Sequence, residues 1–186
     1  MNIREKRKMI DIKQIVSNGY QIFYSAGGTD EIFIIFYGPD DSDYEGGIWK
    51  IRIRFPLQYP YKGPIINFMN KIFHPNVEQK AGTICLNLIG SDWNPSYDLL
   101  NILNIFLPEL LQNPNAKDPY NSEAAKLYNE CLIKYKQKVK EYIGRYASNL
   151  EDLIPKEEEF KKDFPRYGFL GSDNDNNDDD DDVMII

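Results

Sequence analysis

Trp49, Ile51, Ile53 and Phe55 alternate with Lys50, Arg52 and Arg54. That period-two pattern predicts a strand with one face in the core and one solvated. Tyr20–Ser25 and Glu31–Tyr37 read as two earlier strands, set off by the turn signals Ala26-Gly27-Gly28 and Gly38 through Gly47. Pro64–Met69 reads as a short fourth, and such brief connections imply an antiparallel meander. Before the strands, Ile3 to Val16 predicts a helix with Met9, Ile12 and Val16 on one face and Ser17-Asn18-Gly19 as its stop. After them, Lys71 to Ser96 has no clean period yet is too apolar for a disordered segment, and a long irregular stretch in a compact domain is usually functional. Asp98 is placed to cap a helix through Leu99, Ile102, Leu103 and Phe106, which Pro108 should kink or end. Asn121-Ser122 opens a short helix, and Ile133 to Tyr146 predicts a last one. Helix, meander, irregular stretch, then helices is an α+β order.

Charge divides the chain in two. Residues 150–186 hold 13 acidic and 4 basic side chains, a net of −9, which leaves 18 basic against 16 acidic, or +2, in residues 1–149. The expected organisation is a folded domain over 1–149 and an acidic, disordered tail over 150–186, in which the run Asp178 to Asp182 precedes an apolar Val183-Met184-Ile185-Ile186. A domain this close to neutral lacks the basic excess of a nucleic-acid binder. No apolar run reaches transmembrane length, and the charged start is unlike a signal peptide. Two cysteines 46 positions apart make no disulfide framework and fit a reducing compartment, cytoplasmic or nuclear.

Cys85 stands nine residues beyond Asn76 of His74-Pro75-Asn76, inside Gly82-Thr83-Ile84-Cys85-Leu86-Asn87-Leu88. A thiol can carry an acyl group and a carboxamide can donate to an oxyanion. A buried structural thiol is the plain alternative, and Cys131, within the helical stretch Leu127–Leu132, is expected to be of that kind. A Cys–His protease pair lacks its surrounding signature. One histidine and two distant cysteines cannot supply a four-ligand metal site, so no metal is expected.

These motifs together resemble the ubiquitin-conjugating enzymes. His-Pro-Asn at 74–76, Gly-Thr-Ile-Cys-Leu at 82–86 and Trp93 are joined, in the family's order, by Tyr44-Glu45-Gly46-Gly47, Phe55-Pro56, Tyr59-Pro60-Tyr61-Lys62-Gly63-Pro64 and Asn113-Pro114-Asn115. The similarity covers roughly residues 1–147. Asn70 to His74, Phe106 to Leu111, Tyr135 to Ile143 and a 76–85 loop one residue longer than in many members bring it closest to the histone-ubiquitinating branch with an acidic tail. The resemblance implies the family's fold: an N-terminal helix, a four-stranded antiparallel meander, an active-site loop and C-terminal helices. It implies that Cys85 accepts ubiquitin's C-terminus as a thioester from the activating enzyme and yields it to a lysine. ATP is consumed upstream by the activating enzyme, so no bound cofactor is expected. Asn76 would hydrogen-bond the oxyanion or hold the loop near it, His74 would be structural, and Asp118 would orient the incoming lysine. Tyr61, Trp93 and Pro95 would dock a RING-type ligase, the CTLH/GID type among the candidates. Arg4, Lys6, Arg7 and Lys8 would meet the activating enzyme. Histones or other basic substrates are further expected partners, and a monomer is expected. Asn87, where many members carry Asp, and Lys117, where an acidic or neutral residue is common, depart from the pattern.

Overall fold

The computed structural model describes residues 2–25, 28–84 and 93–154. Helix α1 spans Ile3–Ser17 and opens on Asn2, whose Oδ1 accepts the Glu5 N–H at 2.8 Å. Its buried positions are Lys8, Asp11, Ile12 and Ile15, spaced as one helical stripe. The apolar face anticipated through Met9 is therefore rotated, and Met9 is exposed. Two charged residues occupy that stripe because each finds partners inside the protein. Lys8 Nζ lies 2.8 Å from Asp30 and 2.7 Å from Glu5, and Asp11 binds Arg7 and the Tyr59 hydroxyl.

Strands β1 (Ile22–Ser25), β2 (Gly28–Tyr37), β3 (Ile48–Arg54) and β4 (Ile65–Phe68) form the antiparallel meander, and β5 (Thr83–Ile84) adds a two-residue edge, in the order β1-β2-β3-β4-β5. The register pairs Ile32 with Ile53, Ile34 with Ile51 and Phe36 with Trp49. One face of β2 and β3 thus supplies Ile32, Ile34, Phe36, Trp49, Ile51 and Ile53 to the core, while Arg54 stays outside. The alternation in β3 had marked this face.

A helical run follows as α2 (Leu99–Asn101), a widened turn over Ile102–Phe106, and α3 (Leu107–Gln112). Asp98 caps it through its Oδ1, 2.7 Å from the Asn101 N–H. Pro108 neither ends nor breaks the run. The Leu107 N–H instead reaches back five residues to the Ile102 carbonyl, a π turn that makes room just before the ring. Helix α4 (Ser122–Glu130) is capped by Asn121, and α5 (Leu132–Tyr146) follows at once. Cys131 sits at their junction, free and half-buried, with non-helical φ −155° and ψ 85°, rather than buried within a helix.

Helix α5 is tied to the chain leading into the site. The Tyr44 hydroxyl lies 2.7 Å from both the Phe73 carbonyl and the Tyr135 hydroxyl. The Asn70 carboxamide donates to Ile48 and Tyr146 carbonyls, both at 2.9 Å, and accepts from the Lys50 N–H. The irregular segment after β4 is thereby held between sheet and helix without secondary structure of its own. Among the described residues, no helix is long and apolar enough to cross a membrane.

Candidate active site

His74, Pro75 and Asn76 are buried. The His74 ring bridges two elements: Nδ1 accepts the Asn76 N–H at 2.9 Å, so Nε2 carries the proton and donates to the Leu110 carbonyl of α3, also at 2.9 Å. Burial pushes the imidazole down to about 4, against the upward pull of the Leu110 carbonyl. A neutral native ring and an ordinary unfolded one make stability full above pH ~6.5 and falling as acid protonates only the unfolded chain. Between about pH 7 and pH 5 the loss should be about 2 kcal/mol. His74 is the chain's only histidine. Urea midpoints across that window should fall in the native protein and stay nearly level in His74→Asn.

Asn76 faces the loop that leads from α3 to α4. Its Oδ1 accepts the Asn115 N–H at 2.8 Å, while Nδ2 donates to the Asn115 carbonyl at 2.7 Å and, more weakly, to the Asp118 carbonyl at 3.4 Å. The Pro75 carbonyl accepts the N–H groups of Tyr120 and Asn121, each at 2.9 Å. Asn121 in turn caps α4 through the Ala124 N–H. Two adjacent buried residues therefore fasten residues 115–121 at both ends, and the exposed Asp118 lies between the fastenings. Asn115 and Asn121 complete this clasp. The sequence placed them only as a motif member and a helix opener, because neither offers a titratable or nucleophilic group.

The other wall is β5. Ile84 pairs with Ile66 of β4 and, through a bridge, with Val77, the neighbour of Asn76. The turn before it closes on Glu78, whose carboxylate accepts the Lys80 and Ala81 N–H groups. Gly82 turns the chain with φ +64°, and a Cβ there would stand 1.9 Å from the Phe68 carbonyl. The chain thus delivers residue 84 beside the clasp. Cys85 and Asn87 lie outside the described residues, as does the tail from residue 155.

The basic residues of α1 separate into two kinds. Lys6 is exposed. Arg4 donates to the Pro56 and Phe55 carbonyls at 3.0 and 3.1 Å and pairs with Asp30 and Glu5. Arg7 chelates Asp11 and donates to the Pro95 and Tyr97 carbonyls, both at 2.6 Å. Of the four residues expected to meet the activating enzyme, Lys6 is thus the one that is exposed. Lys8 is 1% exposed and paired, and Arg4 and Arg7 are engaged in contacts within the chain, because the helix brings them over the carbonyls of residues 55, 56, 95 and 97 and the carboxylates of Glu5, Asp11 and Asp30.

Tyr61 is 71% exposed, and Pro95 is exposed. Trp93 is half-buried: its Nε1 donates to the Pro60 carbonyl at 2.5 Å and its ring lies against Tyr59 and Tyr97. A Cβ at Gly63 would come within 2.9 Å of that ring. Trp93 thus sits against the 59–63 turn that carries Tyr61. Among the described residues no cluster of His, Cys, Asp or Glu is placed to hold a metal ion.

A family model for ubiquitin-conjugating enzymes matches residues 4–143. The chain is 44% identical over 155 residues to "Ubiquitin-conjugating enzyme E2-23 kDa" of Triticum aestivum, covering 83% of this chain and 84% of that protein. It is 40% identical over 178 residues to "Ubiquitin-conjugating enzyme E2 5" of Arabidopsis thaliana, covering 95% of each. A crystal structure from Plasmodium yoelii, classed among ubiquitin conjugating enzymes, superposes with a TM-score of 0.71 at 27% identity, covering 80% of this chain and 98% of that one. The chain belongs to the ubiquitin-conjugating enzyme family. As such it is a transferase that works through a thioester, with ubiquitin and the activating enzyme as its partners.

Proposed function

We propose that this enzyme carries ubiquitin on Cys85 and passes it to a lysine held by Asp118, with Asn76 keeping the Asp118 loop in place and His74 locking Asn76 to α3. The observation that supports this reading best is the clasp of Asn76 on Asn115 and Asp118, beside the strand that leads to Cys85. A lysine is protonated at neutral pH in solution. An exposed carboxylate near the thioester can orient its ammonium and receive its proton as the amine attacks. The nitrogen–carbon bond then forms, the carbon–sulfur bond breaks, and the thiolate leaves. No bound cofactor enters this sequence. Tyr61, Trp93 and Pro95 form the dock for a RING-type ligase, for which the CTLH/GID type is a candidate, and among Arg4, Lys6, Arg7 and Lys8 the exposed Lys6 is best placed to meet the activating enzyme.

Residues 150–186 are proposed as an acidic tail serving the histone-ubiquitinating branch, with the enzyme monomeric and both cytoplasmic and nuclear. The match to the Arabidopsis relative over 95% of both chains supports a shared extension. An anionic run raises the local concentration of a basic substrate. One set of single-turnover discharge assays tests both halves. From the preloaded enzyme, Asp118→Ala should slow transfer to free lysine about tenfold, below the range of a full general base. Truncation after Asn149 should spare transfer to free lysine but reduce transfer to histones, by a margin that shrinks as salt shortens the screening length from about 10 Å at 0.1 M. Wild-type lysine rates in Asp118→Ala would remove Asp118 from the mechanism, and equal histone rates at low salt would remove the tail from recruitment.

A further inference from the structure

Arg7 lies at the meeting point of three chain segments. Its Nε is 3.1 and 3.0 Å from the two carboxylate oxygens of Asp11, one turn along α1, while Nη1 and Nη2 each donate at 2.6 Å to the Pro95 and Tyr97 carbonyls. Asp11 is fully buried and also accepts the Tyr59 hydroxyl. Burial raises its carboxyl above the ordinary value, while Tyr59 and Arg7 pull it down. Tyr59 packs on Trp93, with ring centroids 6.0 Å apart. Residues 93–98 contain no helix or strand. The Trp93 indole, the Tyr97 ring, these two carbonyls and the Asp98 cap tie them to the body.

We infer that Arg7 is a positioning residue. Braced by Asp11, its guanidinium fixes residues 93–98 against α1, so that Trp93 and Pro95 are presented in one arrangement before any partner arrives. The planar fork suits this task, because three of its nitrogens serve three acceptors at once. Helix α1 thus acts as the brace of the surface beside it. A preformed surface binds without the cost of ordering it. The role in ligase response rests on the proposed docking patch of Tyr61, Trp93 and Pro95. The clamp itself does not.

Two measurements separate these layers. Trp49 is 1% exposed, so acrylamide quenching of tryptophan fluorescence reports chiefly on Trp93. Arg7→Ala should raise the quenching constant about twofold as the segment opens locally. Arg7→Lys keeps a charge beside Asp11, and so guards against loss of folding. An ammonium cannot span the same three acceptors, so its quenching should also rise. Lys6→Ala, on the same helix but exposed, should quench as the native protein does. With a RING domain chosen because it stimulates the unaltered enzyme, the ratio of stimulated to unstimulated lysine discharge should fall about tenfold in both Arg7 variants, the scale of a displaced docking group. A merely structural ion pair would be rescued by Arg7→Lys in both readouts. Unchanged quenching in both variants overturns the clamp. Raised quenching with an unchanged ratio overturns its part in ligase response when Tyr61→Ala does lower the ratio. If Tyr61→Ala also leaves the ratio unchanged, the docking patch is what falls, and the clamp stands on the quenching.

Discussion

Cys85→Ala should abolish the thiol-labile ubiquitin adduct formed with activating enzyme and ATP, and all lysine transfer with it. The reaction moves an acyl group from the activating enzyme's thiol to this one, so a carbon–sulfur bond must form on this chain before any lysine is modified. Only two cysteines can form it. Cys131 is half-buried at the α4–α5 junction, with its N–H on Leu127 and its carbonyl on Tyr135. Cys131→Ala should therefore leave the adduct intact. Cys85→Ser gives a second reading. An alkoxide leaves far less readily than a thiolate, so a serine adduct should survive thiol reductant and transfer slowly. Non-reducing gels of the three variants distinguish these results. A reducible adduct persisting in Cys85→Ala would remove Cys85 as the carrier.

The fold was legible where a residue's neighbours in sequence decide its environment. The alternation through β3 marks the core face, and Asp98 and Asn121 signal helix starts by the local bonds they make. It is not legible where distant partners decide. Met9 reads as core and Lys8 as surface, but Asp30 and Tyr59 give Lys8 and Asp11 the distant partners they need to be buried, and no local pattern reports a partner some 20 to 50 positions away. Pro108 signals a break in regular helix, and the structure meets it with the π turn over Ile102–Phe106, after which α3 resumes with Pro108 in its first turn. The same division runs through the site. His74, Asn76 and Asp118 could be picked out by residue type and motif. That Asn76 spends its carboxamide on Asn115 and Asp118, and that the Pro75 carbonyl takes two N–H groups, depends on a loop some 40 residues later.

Asn76→Ala should slow lysine transfer from the loaded enzyme about tenfold, as far as Asp118→Ala does, while loading proceeds. Two routes lead to slower transfer. An oxyanion donor removed directly can cost ~10²–10³ in rate. The geometry favours the other route, since both donors on Nδ2 are engaged with loop carbonyls and Oδ1 holds the Asn115 N–H. Truncation to alanine frees all three, and buried backbone groups left unpaired cost about 1–3 kcal/mol each. The loop should shift and carry Asp118 with it, and the urea midpoint should fall. A double-mutant cycle with Asp118→Ala separates the routes. If Asn76 acts by holding the loop, the double variant should be about as slow as Asn76→Ala alone, because Asp118 is already out of place. If Asn76 donates to the oxyanion, Asn76→Ala alone should lose about a hundredfold, and the two losses should multiply to about a thousandfold, since they act on different atoms of the transition state. Multiplicative losses would move Asn76 to the oxyanion and overturn the loop-holding role.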